Sequence, residues 1–185
     1  MSKQVRAASL VAMAALLLTG CTTGATPQPT PSYTPKVYVN APLTGMPFEE
    51  GTRPSLNGPS VACKIDNVGT ETLKANINRT DLVYVEMVEG GLTRLVAVWH
   101  SDMPTAVGPV RSIRPMDPDI ISPLGGIVCY SGGQLKFVTM MRNTNVYNAT
   151  ETSEQTHGTF TRAKDREAPK NVIVDAAKLA AAHAE

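Results

Sequence analysis

Histidine is scarce in this chain. His100, His157 and His183 are the whole complement, with no i,i+4 pair among them and no Cys/His cluster. Sequence signatures of metal sites keep their ligands closely spaced, so neither a metal nor a cofactor is expected; an all-oxygen set of Asp66, Asp117 and Asp119 stays open as a minor alternative. An excess of one charge is also missing, since 17 Lys+Arg face 16 Asp+Glu for a formal net charge of +1. A nucleic-acid binder concentrates basic residues on one surface, and that class is set aside. The chain has no G-x-S-x-G elbow, and Ser131, although followed by two glycines, has no histidine evidently placed to activate it. Nucleophilic catalysis is therefore poorly supported. No internal repeat is visible, and AASLVAMAALLL at 7–18 is shorter than the roughly 20 apolar residues that span a bilayer.

That apolar run has a different reading. Lys3 and Arg6 precede it, and Leu18-Thr19-Gly20-Cys21 closes it. A positive head, an apolar stretch and small residues before a cysteine have the form of a signal peptide with a bacterial lipobox. The sequence predicts a leader at 1–20 and lipidation of Cys21. A diacylglyceryl anchor with palmitate-type chains would then hold the chain on the outer, extracytoplasmic face of the cell membrane. Each buried methylene contributes about 0.8 kcal/mol, so more than one acyl chain gives stable anchoring. Residues 22–36, TTGATPQPTPSYTPK, carry four prolines and almost no large apolar groups. They read as a disordered or polyproline-like tether, with one folded domain over 37–185.

Within that domain, SVACKID (60–66) reads as a buried strand. DLVYVEMV (81–88) and LTRLVAVWHS (92–101) read as a hairpin around Glu-Gly-Gly. A two-residue loop would set Glu86 opposite Leu95. A three-residue loop of Glu89, Gly90 and Gly91 pairs Val88 with Leu92, Glu86 with Arg94, Tyr84 with Val96 and Leu82 with Val98. The second register brings opposite charges face to face and is preferred. Apolar residues on both faces predict a central hairpin covered on each side. A short helix is expected from Asp117 or Asp119 to about Leu124, a buried strand in GGIVCYSGG, and a helix in QLKFVTMMRN with Leu135, Val138 and Met141 inward. Residues 143–159 read as a surface loop, and DAAKLAAAHAE as a terminal helix. The fold class is α/β, a central mixed sheet with helices on both faces. Cys63 and Cys129 lie in apolar strands; buried free thiols are favoured over a disulfide, because nothing in the sequence makes those strands neighbours.

Several phrases together resemble one family. PLTGMP (42–47), VACKIDN (61–67), NRTDLVYVEMVEGGLTRLVAVWHS (78–101), VGPVRSIRP (107–115), SGG (131–133) and the F-x-R at Phe160 are similar to the YerB-like lipoproteins, an envelope group described mainly as a domain of unknown function. The resemblance implies an α/β fold, a membrane-anchored extracytoplasmic location and no particular reaction. Where that family often has a Pro-His-Asn phrase, this chain has Pro169-Lys170-Asn171, so no role of that histidine carries over. Similar proteins continue into a smaller C-terminal domain, which leads to the expectation that this chain is truncated.

Arg111 and Arg114 fall between prolines, with Asp117 and Asp119 close behind. Guanidinium forks suit phosphate and carboxylate, so Arg94, Arg111, Arg114 and Arg162 are candidate ligand-binding residues. Ser131, Gly132 and Gly133 could add backbone donors ahead of a helix. Equally, the arginines could staple loops to Asp66, Asp117 or Asp119. Glu86 is expected to pair with Arg94, with Asp66 and Glu86 as weaker candidates for acid–base catalysis. Three functions follow: a module binding an anionic cell-wall ligand or an envelope protein, a hydrolase or transferase of envelope polymers, and a structural or assembly lipoprotein.

Overall fold

The computed structural model describes residues 34–69 and 74–184. The leader, Cys21 and the tether as far as Tyr33 lie outside the described residues. Among the described residues no helix is long and apolar enough to cross a membrane. In chain order the strands are β1 (Tyr38–Asn40), β2 (Pro47–Glu49), β3 (Val61–Asp66), β4 (Leu82–Met87), β5 (Thr93–Trp99), β6 (Ile127–Cys129), β7 (Tyr147–Ala149), β8 (Phe160–Arg162) and β9 (Val172–Val174). The α-helices are α1 (Asp117–Ile121), α2 (Leu135–Arg142) and α3 (Ala176–Ala182). Five strands form one mixed sheet in the order β4-β5-β3-β6-β7, and β1-β2 and β8-β9 are separate two-stranded sheets. In the main sheet β5 runs antiparallel to β3 and β4, whereas β3, β6 and β7 are parallel.

The β4–β5 hairpin adopts the three-residue register: Leu82 faces Val98, Tyr84 faces Val96 and Glu86 faces Arg94. Val88 N donates to Leu92 O at 2.7 Å, closing the loop. Gly90 and Gly91 sit at φ 71° and 70°, a left-handed backbone that L side chains resist. The hairpin is not covered on both faces, however. β4 is an edge strand, and Val83, Val85 and Met87 are exposed together with Tyr84. The apolar pattern is real, but the described residues place neither strand nor helix over that end of the sheet. Opposite the tip, Asp81 accepts hydrogen bonds from His100 N, Ser101 N and Ser101 Oγ, and Arg79 Nε donates to Asp102 at 2.7 Å. The phrases NRTD and WHSD are thus two halves of one clamp.

Alternation along β3 divides the core. Val61, Cys63 and Ile65 join Leu95, Ala97 and Trp99, with Val172 and Val174 of β9 and Ala176 and Leu179 of α3 packed on them. Ala62 joins Val96 and Val98 on the other face, with Ile121 of α1 and Phe137 and Met141 of α2. Phe137 and Met141 of α2 are buried and Val138 packs half-buried against the same cluster, whereas Leu135, at the first turn, is 79% exposed. The end of β3 carries polar side chains, Lys64 and Asp66, on the second face.

Two further expectations are overturned. Cys63 and Cys129 form a disulfide, with Cα atoms 4.5 Å apart. They occupy one register position of the parallel pair β3–β6, a neighbour relation that no local pattern announces. The stretch read as a loop at 143–159 contains β7, which completes the sheet beside β6. Three residues of parallel pairing supply too little periodicity to recognise.

Candidate functional site: charged groups where β3 and β6 diverge

β3 and β6 are paired only as far as Cys63 and Cys129. Beyond that point the segment 109–113 enters between them. Arg111 N donates to Lys64 O at 2.8 Å and Asp66 N to Pro109 O at 3.0 Å on the β3 side. Ser131 N donates to Arg111 O at 3.0 Å and Ile113 N to Gly132 O at 3.0 Å on the β6 side. The VGPVRS and SGG phrases therefore belong to one construction. Gly133, at φ 154°, needs its missing side chain because a Cβ there would stand 2.7 Å from Ile113 Cγ2. That glycine serves close packing of the inserted segment.

The arginines of the inserted segment meet the hairpin. Arg94, buried, donates from Nη1 to Ser112 O at 2.8 Å, and Arg114 Nη1 donates to Ile113 O at 3.0 Å. Arg111 Nη1 donates to Pro169 O at 3.0 Å, while its Nε is 3.9 Å from Asp66 Oδ2. Arg114 Nε donates to Glu89 Oε2 at 2.8 Å, on a carboxylate whose side chain is 61% exposed. Burial lowers the pKa of Arg94, and repulsion from Arg114 and then Arg111 lowers it further, against the pull of Asp66 and Glu89. A hydrogen bond from its own backbone, then one from Arg114, holds Glu89 below the usual carboxylate value. Arg94 Nε, Arg111 Nε and Asp66 Oδ2 are buried without a hydrogen-bond partner.

The partner expected for Glu86 was Arg94, and the register is as expected, but the ion pair is not. The Glu86 carboxylate lies against Lys64 Nζ, which also donates to Asp117 Oδ1 at 2.7 Å. All three are buried. Desolvation pushes Lys64 down and Asp117 up, and the attraction between them only partly opposes it. Lys64 reads in sequence as part of a charged strand exit, yet it is fully enclosed. Alternation puts it on the same face of β3 as Asp66, and the β3–β5 pairing brings that face beside Arg94 and Glu86. Asp66 and Glu86 flank Arg94 on either side of β5, so an intervening strand separates their backbones by about 10 Å. Asp119 is exposed and Asp117 is committed to Lys64 and to Arg114 N. The three aspartates do not assemble into an oxygen-ligand set.

The remaining candidates continue the network outward. Ser112 Oγ donates to Ser131 O at 3.0 Å, and Ser131 Oγ to Glu151 Oε2 at 3.0 Å. Arg162 donates to Glu151 Oε1 at 2.7 Å and to Asn171 Oδ1 at 3.1 Å. Pro169 and Asn171 are the ends of the Pro-Lys-Asn phrase, so this departure from the family pattern borders the arginines. Tyr130 is fully buried, its hydroxyl 3.1 Å from Asn148 Oδ1. Glu151, Asn171 and Lys64 were not singled out from sequence, having no spacing that ties them to the arginines. A separate group gathers on the β8 side of the molecule: Glu154 and His157, three residues apart, and the distant His183.

Comparison with known proteins agrees with the motif resemblance. A curated relative from Bacillus subtilis (strain 168), named "Putative lipoprotein YerB", is 35% identical over 79 residues, covering 41% of this chain and 22% of the relative. The crystal structure of the YerB protein from Bacillus subtilis superimposes with a TM-score of 0.67 at 23% identity, covering 78% of this chain and 48% of that one. The chain thus spans less than half of the relatives it matches, and at that identity the structural likeness speaks for the fold alone. Residues 43–185 match the model described as the N-terminal domain of a protein of unknown function, DUF3048. The chain belongs to this YerB-like family.

Proposed function

We propose that this protein is a lipoprotein held by Cys21 on the extracytoplasmic face of the membrane, where it binds an anionic envelope ligand. The ligand bears phosphate or carboxylate, and Arg94, Arg111 and Arg114 receive it where β3 and β6 diverge. The observation that carries this reading is the gathering of three guanidinium groups, two of them with a buried Nε that makes no hydrogen bond. Like charges held close disfavour one another, and an added anion relieves that repulsion. Ligands of open α/β sheets also favour the carboxyl ends of parallel strands, a fold-level analogy. Glu89, exposed at the hairpin tip, is the internal anion that a ligand displaces from Arg114. Ser131, Gly132, Gly133 and Arg162 adjoin these arginines through the inserted segment and the Ser112–Ser131–Glu151 hydrogen bonds.

Thermal unfolding with inorganic phosphate or soluble cell-wall fragments tests the reading. Wild type should melt at a higher temperature with ligand, and Arg111→Ala with Arg114→Ala should abolish the increase. Glu89→Gln should enlarge it. An equal shift in wild type and the double variant, or none in either, overturns ligand binding. A structural or assembly role is then the better reading, supported by the bonds of Arg111 to Pro169 and of Arg114 to Glu89. A hydrolase or transferase has less support, because Arg94 stands between the two acids that would share the chemistry.

A further inference from the structure

We propose that Glu154, His157 and His183 form a site for one divalent first-row transition ion, with zinc the ion best suited to these donors. One atom from each residue lies within 4.8 Å of the others. His157 Nδ1 is 3.1 Å from Glu154 Oε2, and His183 Nε2 is 3.4 Å from the same oxygen. A tetrahedral ion at about 2.0–2.1 Å from nitrogen and oxygen ligands sets those ligands roughly 3.4 Å apart. Both carboxylate–imidazole separations match that spacing, and the two imidazole nitrogens lie within 4.8 Å of each other. Two imidazoles and a carboxylate are also the donor types that zinc and its neighbours take.

Two segments far apart in sequence build the site. Glu154 and His157 lie in a helical turn, with His157 N and Gly158 N both donating to Glu154 O at 3.1 and 2.8 Å. His183 caps the C-terminus of α3. Asp175 N donates to Thr159 O at 2.9 Å, which fastens the start of α3 to the turn. Supporting groups fix the ligands as such groups do in metal sites. Tyr147 Oη donates to Glu154 Oε1 at 2.9 Å, and its ring stacks on His183 with centroids 3.9 Å apart.

Charge makes the case sharper. The Glu154 side chain is fully buried, and among the described residues its ion-pair partners are His157 and His183. A buried carboxylate needs a compensating charge. A divalent ion provides it with both imidazoles neutral. The His157 side chain is 41% exposed, so an ion enters from that side and a water molecule can complete its coordination there. Nothing in this argument rests on the arginine cluster.

The test uses tag-free protein purified from membranes in detergent and stripped of metal with a chelator. Equilibrium dialysis against zinc should give one ion per chain, and cobalt should give the visible absorption of a tetrahedral ion. His157→Ala, at an exposed position that leaves the fold intact, should weaken zinc binding by at least about tenfold and abolish the cobalt spectrum. His183→Ala should do the same, and His100→Ala should change neither. Absence of stoichiometric binding in wild type, or wild-type binding in both His157→Ala and His183→Ala, overturns the proposal. The group would then be a hydrogen-bonded cluster that joins α3 to the turn.

Discussion

Lys64 illustrates how a single side chain can be misread when its depth is unknown. Its ammonium is enclosed between the carboxylates of Glu86 and Asp117, on the face of β3 opposite Cys63. Such a pair contributes little relative to an apolar replacement of the whole group, but removing one partner leaves charge buried without compensation. Lys64→Met should lower stability by about 3–5 kcal/mol, as measured by urea unfolding. Adding Glu86→Gln and Asp117→Asn should recover much of the loss. If Lys64→Met proves neutral, the cluster has been assigned too much weight. Strand alternation puts Lys64 with Asp66 on one face of β3 and Glu86 opposite Arg94 in the hairpin; the β3–β5 pairing that joins these faces came from the tertiary structure. Which cation met which acid was not legible, because that depends on how far each chain reaches into space shaped by α1 and the inserted segment.

At the scale of elements, sequence is most informative where bonding is local. The hairpin register followed from loop length and cross-strand charge, both contained in twenty-odd consecutive residues. Helix α2 and the β3 strand were recognisable for the same reason. The edge position of β4 was not, since an apolar pattern records which side chains are greasy and not which are covered. Pairing of β3 with β6 was equally hidden, and with it the disulfide. Closing a loop of 66 residues restricts the unfolded chain by roughly 4 kcal/mol on the chain-entropy account. Replacing Cys63 and Cys129 with alanine should therefore reduce unfolding free energy by about 2–5 kcal/mol in guanidinium titration. A difference below 1 kcal/mol would mean that the bond is not formed in the native protein.

For the whole molecule the decisive property is where it is held. The leader and lipobox reading, together with a relative named as a lipoprotein, leads to a clear expectation for Cys21→Ser. Wild type should fractionate with membranes and incorporate labelled fatty acid, and the variant should do neither. Retention of Cys21→Ser on membranes would remove the lipid anchor from the functional reading. Anchoring and binding are separable, so the phosphate experiment retains its meaning whichever way this one falls.

What the sequence by itself determined was local or ordered along the chain: the leader pattern, the hairpin and its register, the α/β class and the family phrases. These depend on residues close in sequence, where spacing translates directly into geometry. Only the tertiary structure decided that the arginine-bearing stretch enters between β3 and β6, that Lys64 rather than Arg94 meets Glu86, and that Cys63 joins Cys129. It alone brought His183 to Glu154 and His157. Each of these contacts joins segments whose separation along the chain carries no information about their distance, because chain crossing and layer packing, not spacing, bring them together.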